Sequence, residues 1–192
     1  MKTGKTVKVL LTAATAAGML AGCGSKTDTD TFRFASELDI QGMDSTVVDD
    51  GMSFNAIHAI TDGLTAVNEK GKTAPAIAKS WDVSDDGKTY TFHLRDAKWS
   101  NGDKVTANDF VYSWRKIIKD AGNYAYMLGN GGASVKNADA LMELGANATD
   151  EQMATLGVTA KDDKTLVVEL ENKVPYFTDL MAFPCYFPQN EK

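Results

Sequence analysis

Two separated stretches of the chain alternate apolar and polar residues with a period of two, the pattern of half-buried strands. In the first, Trp81 and Val83 precede the turn Ser84-Asp85-Asp86-Gly87, and Tyr90, Phe92 and Leu94 follow on one face. In the second, Val158 and Ala160 precede Lys161-Asp162-Asp163-Lys164, and Leu166, Val168 and Leu170 follow. The pattern predicts two antiparallel hairpins whose likeness lies in shared turn chemistry rather than in a repeat architecture. Phe32, Phe34, Leu38 and Ile40 bracket a further predicted strand, leading to extended backbone around Val47 and Val48.

Elsewhere the apolar spacing lengthens to that of a helix. Met52, Ala56, Ile60 and Leu64 predict a helix ending at Gly63. Thr106-Ala107-Asn108-Asp109 has capping-box form and opens a helix with the stripe Phe110, Trp114, Ile117 and Ile118. Val135 to Leu144 reads as a helix stopped by Gly145; Thr149 to Gln152 caps a short one, and Pro175 opens another over Tyr176 to Met181. The closing PCYFPQNEK offers no terminal helix or strand to seal a core. Strands and helices mix without strict βαβ alternation, which predicts a mixed α/β architecture.

The N-terminus breaks this pattern. Lys2, Lys5 and Lys8 precede an apolar run from Val9 to Leu20, which ends in Leu20-Ala21-Gly22-Cys23. Such a run is shorter than the roughly 20 residues of a spanning helix and reads as an export signal. Small residues before a cysteine resemble a bacterial lipobox: residues 1–22 are the expected signal peptide, Cys23 the expected lipidation site, and residues 24–31 a polar tether. Two acyl chains would hold the protein at the membrane stably. Losing residues 1–22 removes three lysines and no acid, moving the net charge from −6 to −9. That balance argues against nucleic acid as a partner. With Cys23 lipidated, Cys185 stands alone, so no internal disulfide is expected; among apolar neighbours it reads as a buried thiol.

Candidate chemistry mostly fails on spacing. Asp82 to Gly87 has the opening of a calcium loop, but its twelfth position is His93 where a bidentate carboxylate is needed. Gly71-Lys72-Thr73 and Gly87-Lys88-Thr89 lack the upstream glycine of a phosphate loop. Ser113 to Lys116 matches S-x-x-K without its partner motifs. His58 and His93 lie in no metal or triad pattern, so neither cofactor nor metal is expected. Asp49-Asp50 before Gly51 is less readily assigned to a turn. The stretch Gly122 to Gly132, GNYAYMLGNGG, reads either as a binding surface or as a loop with Tyr124 or Tyr126 tucked into the core.

The run from Asp62 to Trp114, with AIAKSWDVSDDGKTYTFHLRDAKWSNG and VTANDFVYSW, resembles the N-terminal region of bacterial oligopeptide-binding proteins. These are the OppA-like solute receptors of ABC importers, extracellular solute-binding protein family 5. LGVTAKDDKTLVVEL and VPYF extend the likeness over most of the chain after the signal. The resemblance implies a type II periplasmic-binding-protein fold, α/β in class, in which two lobes close on a peptide. On that plan residues 32–61 start lobe I, 62–188 form an inserted α+β domain, and 189–192 begin a return to lobe I. The chain is then expected to be truncated, lacking most of both ligand-gripping lobes.

The resemblance also implies a ligand site and a task. Family members pair an extended peptide, main chain to main chain, with a short strand of lobe I, a mode that tolerates mixed side chains. The matching positions are Asp49, Asp50 and Gly51, with the glycine shifted by one from the family pattern. Tyr124 matches a tyrosine that lines the pocket from the inserted domain. The implied function is a monomeric, lipid-anchored receptor on the extracytoplasmic face of the cell membrane. It would bind oligopeptides and deliver them to an ABC permease, without catalysis. A peptide-pheromone signalling receptor, or a receptor for another solute, is the alternative on the same fold. A surface peptidase is the alternative of another class, and it lacks a visible nucleophile and base.

Overall fold

In a computed structural model, which describes residues 35–192, the two hairpins join edge to edge. The first pairs β3 (Ala78–Val83) with β4 (Thr89–Leu94); the second pairs β5 (Val158–Asp162) with β6 (Thr165–Glu169). β4 and β6 then run antiparallel, Tyr90 opposite Val168 and Phe92 opposite Leu166, giving the order β3-β4-β6-β5. A smaller sheet pairs β1 (Thr65–Val67) with β2 (Thr73–Pro75). The turns use one device twice: Asp86 accepts from the Lys88 N–H at 3.0 Å, and Asp162 from the Lys164 N–H at 2.7 Å. Gly87, at φ 71°, supplies the left-handed residue that the first turn needs.

The alternation is met on the inner face, where Tyr90, Phe92, Leu94, Leu166 and Val168 are buried. Against them lies α2 (Ala107–Lys119), whose stripe Phe110, Trp114, Ile117 and Ile118 is buried as well. The Asp109 carboxylate reaches back to the Thr106 N–H at 2.6 Å, as the capping box requires. Phe177 of α5 (Phe177–Leu180) closes one end of this core, its ring 4.4 Å from that of Tyr90.

Five expectations change. Leu38 and Ile40 lie outside any strand and are exposed, since alternation makes a strand only where a neighbouring strand completes a ladder. Phe32 and Phe34 of that predicted strand lie outside the described residues, as do the predicted signal peptide, Cys23 and the tether. Around Val47 the chain turns instead of extending, with the Val47 and Val48 N–H groups both donating to the Asp44 carbonyl. The first helix, α1 (Gly51–Ile60), stops three residues before Gly63, capped by Thr61 in extended backbone. Gly63 instead marks a close approach, because a Cβ there would overlap the Met181 carbonyl and the Phe187 ring.

The next helix, α3 (Ala138–Leu144), starts later than predicted, because Val135 forms a bridge with Leu170 and Asn137 takes a left-handed conformation, φ 62°. The short capped helix is α4 (Asp150–Met153), with the expected box between Thr149 and Gln152. Finally, the closing segment does seal the core: Cys185 and Tyr186 are fully buried and Phe187 nearly so. Its backbone is held by side chains, the Ser113 hydroxyl donating to the Phe187 carbonyl at 2.7 Å and the Trp114 indole to that of Tyr186 at 2.9 Å.

Candidate functional site

The residues before and within α1 form a compact patch with the loop that follows α2. Val48, Phe54 and Ile57 pack with Phe187 in a small core separate from the main one. The Phe54 ring meets Tyr124 at 5.3 Å and Phe183 at 5.2 Å, and Tyr124 and Phe183 are themselves 5.3 Å apart. Edge-on and tilted rings at these separations attract beyond their buried area. This triangle places Tyr124 half-buried beside α1, while Tyr126 stays about half exposed.

Asp49 belongs to the same patch. Its carboxylate accepts from the Asn123 amide at 2.9 Å, and the same amide lies 3.4 Å from the Val47 carbonyl. Asp49 and Tyr124, far apart in sequence, are thus joined through the residue next to Tyr124. Gly122 allows the approach, since a Cβ there would overlap the Thr46 carbonyl oxygen.

Asp50 and Gly51 have a local task as well. Asp50 is extended, φ −105° and ψ 147°, and its carboxylate accepts from the Ser53 N–H at 2.8 Å, capping α1. The Ser53 hydrogen bonds hold its pKa below the usual carboxylate range. Its second oxygen is shielded and without a hydrogen-bond partner. Gly51 is already the first residue of the helix, so the expected extended run is cut short there. An Asp immediately before helical residues is a strong N-cap, which explains the change. The space where a Gly51 side chain would stand is open.

The patch is anchored from below by Lys116, which reaches Asp44 at 2.7 Å, and by Gln189, whose amide donates to the same carboxylate at 2.6 Å. Around it Leu38, Ile40, Met43, Val47 and Ile60 are all exposed. Phe54 and Phe183 were not legible as site residues, and Asn123, although inside the stretch Gly122 to Gly132, carried no signal of its own; only the packing brings the three together. Among the described residues no cluster of acidic, histidine or cysteine side chains is arranged to hold a metal. No helix among them is long and apolar enough to cross a membrane.

Residues 72–192 match the family described as bacterial extracellular solute-binding proteins, family 5 Middle. A dipeptide-binding protein of Lactococcus lactis subsp. cremoris is 39% identical over all of this chain and 34% of its own length. The substrate-binding domain of an oligopeptide ABC transporter from Bacillus anthracis superposes with a TM-score of 0.75 at 41% identity, covering 82% of this chain and 29% of that one. The peptide-binding pheromone receptor PrgZ superposes with a TM-score of 0.71 at 33% identity, covering 79% of this chain and 29% of its own. The chain therefore spans about a third of the length of these relatives. The expected mixed α/β fold of the oligopeptide-binding receptors is met over that part.

Proposed function

Because this chain belongs to family 5 of the bacterial extracellular solute-binding proteins, we propose that it is part of a receptor that captures oligopeptides and passes them to an ABC permease. The observation that carries the reading is the hydrogen bond from Asn123 to Asp49, which unites the two segments expected to touch a peptide. The peptide lies extended along the backbone of Asp49 and Asp50, with the open space at Gly51 leaving room for its side chains. The half-buried ring of Tyr124 lines the other side. Main-chain pairing of this kind accepts many sequences. The receptor binds without covalent chemistry of its own and acts as a monomer.

In this reading residues 32–61 start the first lobe, 62–188 are the inserted domain and 189–192 lead back to the first lobe. The protein is held on the extracytoplasmic face of the cell membrane by lipid on Cys23. Labelled palmitate should enter the wild-type chain in cells and not the Cys23→Ala variant; label retained in the variant excludes the anchor.

Calorimetry with a pool of mixed tri- to hexapeptides tests the capture step, on this chain and on a chain carrying the remaining lobes of a relative. A cleft ordinarily buries most of its ligand. Weak retention by this chain and tight retention by the two-lobed one, lowered about tenfold by Tyr124→Ala, is the expected result. If no peptide in the pool is held by either, the proposal fails. The likeness to PrgZ favours a second reading, a receptor for a single signalling peptide. One sequence retained from the pool, with the rest excluded, would decide for it.

A further inference from the structure

A cleft of about 580 Å³ lies beside α2, and its lining includes none of the residues proposed to touch a peptide. Val111, Tyr112, Arg115 and Lys119 line it from that helix, and Asp150 and Met153 from α4. Its cations differ in their commitments. Lys119 pairs with Asp150 at 2.8 Å, and Lys116 pairs with Asp44 and Asp120 at 2.7 and 3.1 Å. Arg115 has no ion pair and no side-chain hydrogen bond among the described residues, and its Nε is shielded from solvent with no acceptor. Burial lowers its pKa from the usual guanidinium value, an effect that the charge of Asp150 opposes only in part.

A partly buried guanidinium with an unmet donor is costly, and a carboxylate is the group that completes it. The Nε–H and an adjacent Nη–H match the two oxygens of a carboxylate side-on, a geometry that lysine cannot reproduce. The acids in the cleft narrow the choice of anion. Asp120 and Asp150 are paired, whereas Glu191 lines the cleft without an ion pair among the described residues. The unpaired charge of Glu191 repels a doubly charged phosphate more than a singly charged carboxylate. The half-buried Tyr112 ring, backed by the buried side chains of Val111 and Met153, supplies apolar surface for an organic body. We propose that this cleft binds a small organic monocarboxylate, with Arg115 turning its Nε edge onto the carboxylate.

The test is an amide NMR titration of the full 192-residue chain with sodium phenylacetate, at ionic strength held constant by chloride. Saturable shifts centred on Tyr112, Arg115 and Lys119 are expected. Binding should weaken about tenfold in both Arg115→Gln and Arg115→Lys. Acetate should bind more weakly than phenylacetate, and inorganic phosphate more weakly still. Glu191→Gln, which removes a competing charge on an exposed side chain, should tighten phenylacetate binding by about twofold to threefold. Shifts that never saturate, or that persist unchanged in a folded Arg115→Gln, overturn the site. If Arg115→Gln does not fold, a Glu191→Gln chain that binds no tighter than wild type overturns it instead. Phosphate binding at least as tightly as phenylacetate overturns the ligand class.

Discussion

Lys116 and Asp44, 72 positions apart, meet at 2.7 Å and tie the loop before α1 to the middle of the molecule. Burial raises the Asp44 pKa, but hydrogen bonds from Lys116, Thr46 and Gln189 outweigh it and hold the group well below the usual carboxylate range. A carboxyl depressed on folding contributes stability above its unfolded pKa, near 3.8, and loses it as pH falls toward the folded value. Thermal melts should therefore show wild type losing stability below about pH 4, with Asp44→Asn less stable at pH 7 and flatter in acid. Because Asp44 is 42% exposed, solvent screening limits the cost of that substitution at pH 7 to about 1 kcal/mol. Parallel acid profiles for the two chains would show that the contact carries no such linkage.

Ser113→Ala tests whether the closing segment belongs to the core. It removes the donor to the buried Phe187 carbonyl and leaves that oxygen unmet. Urea unfolding should give a loss of about 1–3 kcal/mol. A change below about 0.5 kcal/mol, the range of surface substitutions, would place the segment outside the cooperative unit.

Gly122→Ala should act through crowding, since the new methyl group overlaps the Thr46 carbonyl, a backbone group that cannot swing aside, and also crowds the Ile117 side chain. The expected cost is about 2 kcal/mol or more. Amide shifts should spread across the contact to Val47 and Asp49. Unchanged signals there would mean that the two segments are not in register as described.

Cys185 is fully buried, and burial pushes its thiol pKa far up. In the native chain an aromatic disulfide reagent at pH 8 should modify it at least about 100-fold more slowly than in denaturant. Equal rates would contradict the packing of the segment around it.

Much of the frame was legible because it rests on local physics. The Asp-containing turns at Asp86 and Asp162, the strand faces of Tyr90, Phe92, Leu166 and Val168, and the capped stripe of α2 each follow from residues close in sequence. Propensity, alternation and capping act over a few positions, so one chain displays them. The errors lie where distant partners decide. Val135 left its predicted helix for a bridge to Leu170, and Leu38 and Ile40 kept the alternation of a strand without becoming one.

The candidate site divides in the same way. Asp49 and Tyr124 stood out by family likeness, and the sequence by itself determined two hairpins, a capped amphipathic helix and a buried thiol at Cys185. Only the tertiary structure decided that the hairpins share one sheet through β4 and β6, that PCYF fills the core, and that Asn123 joins Asp49 to the neighbour of Tyr124. Those outcomes depend on carbonyls and rings that meet across more than 70 residues, and hydrophobic burial, being non-directional, does not declare in advance which distant surfaces will close on each other.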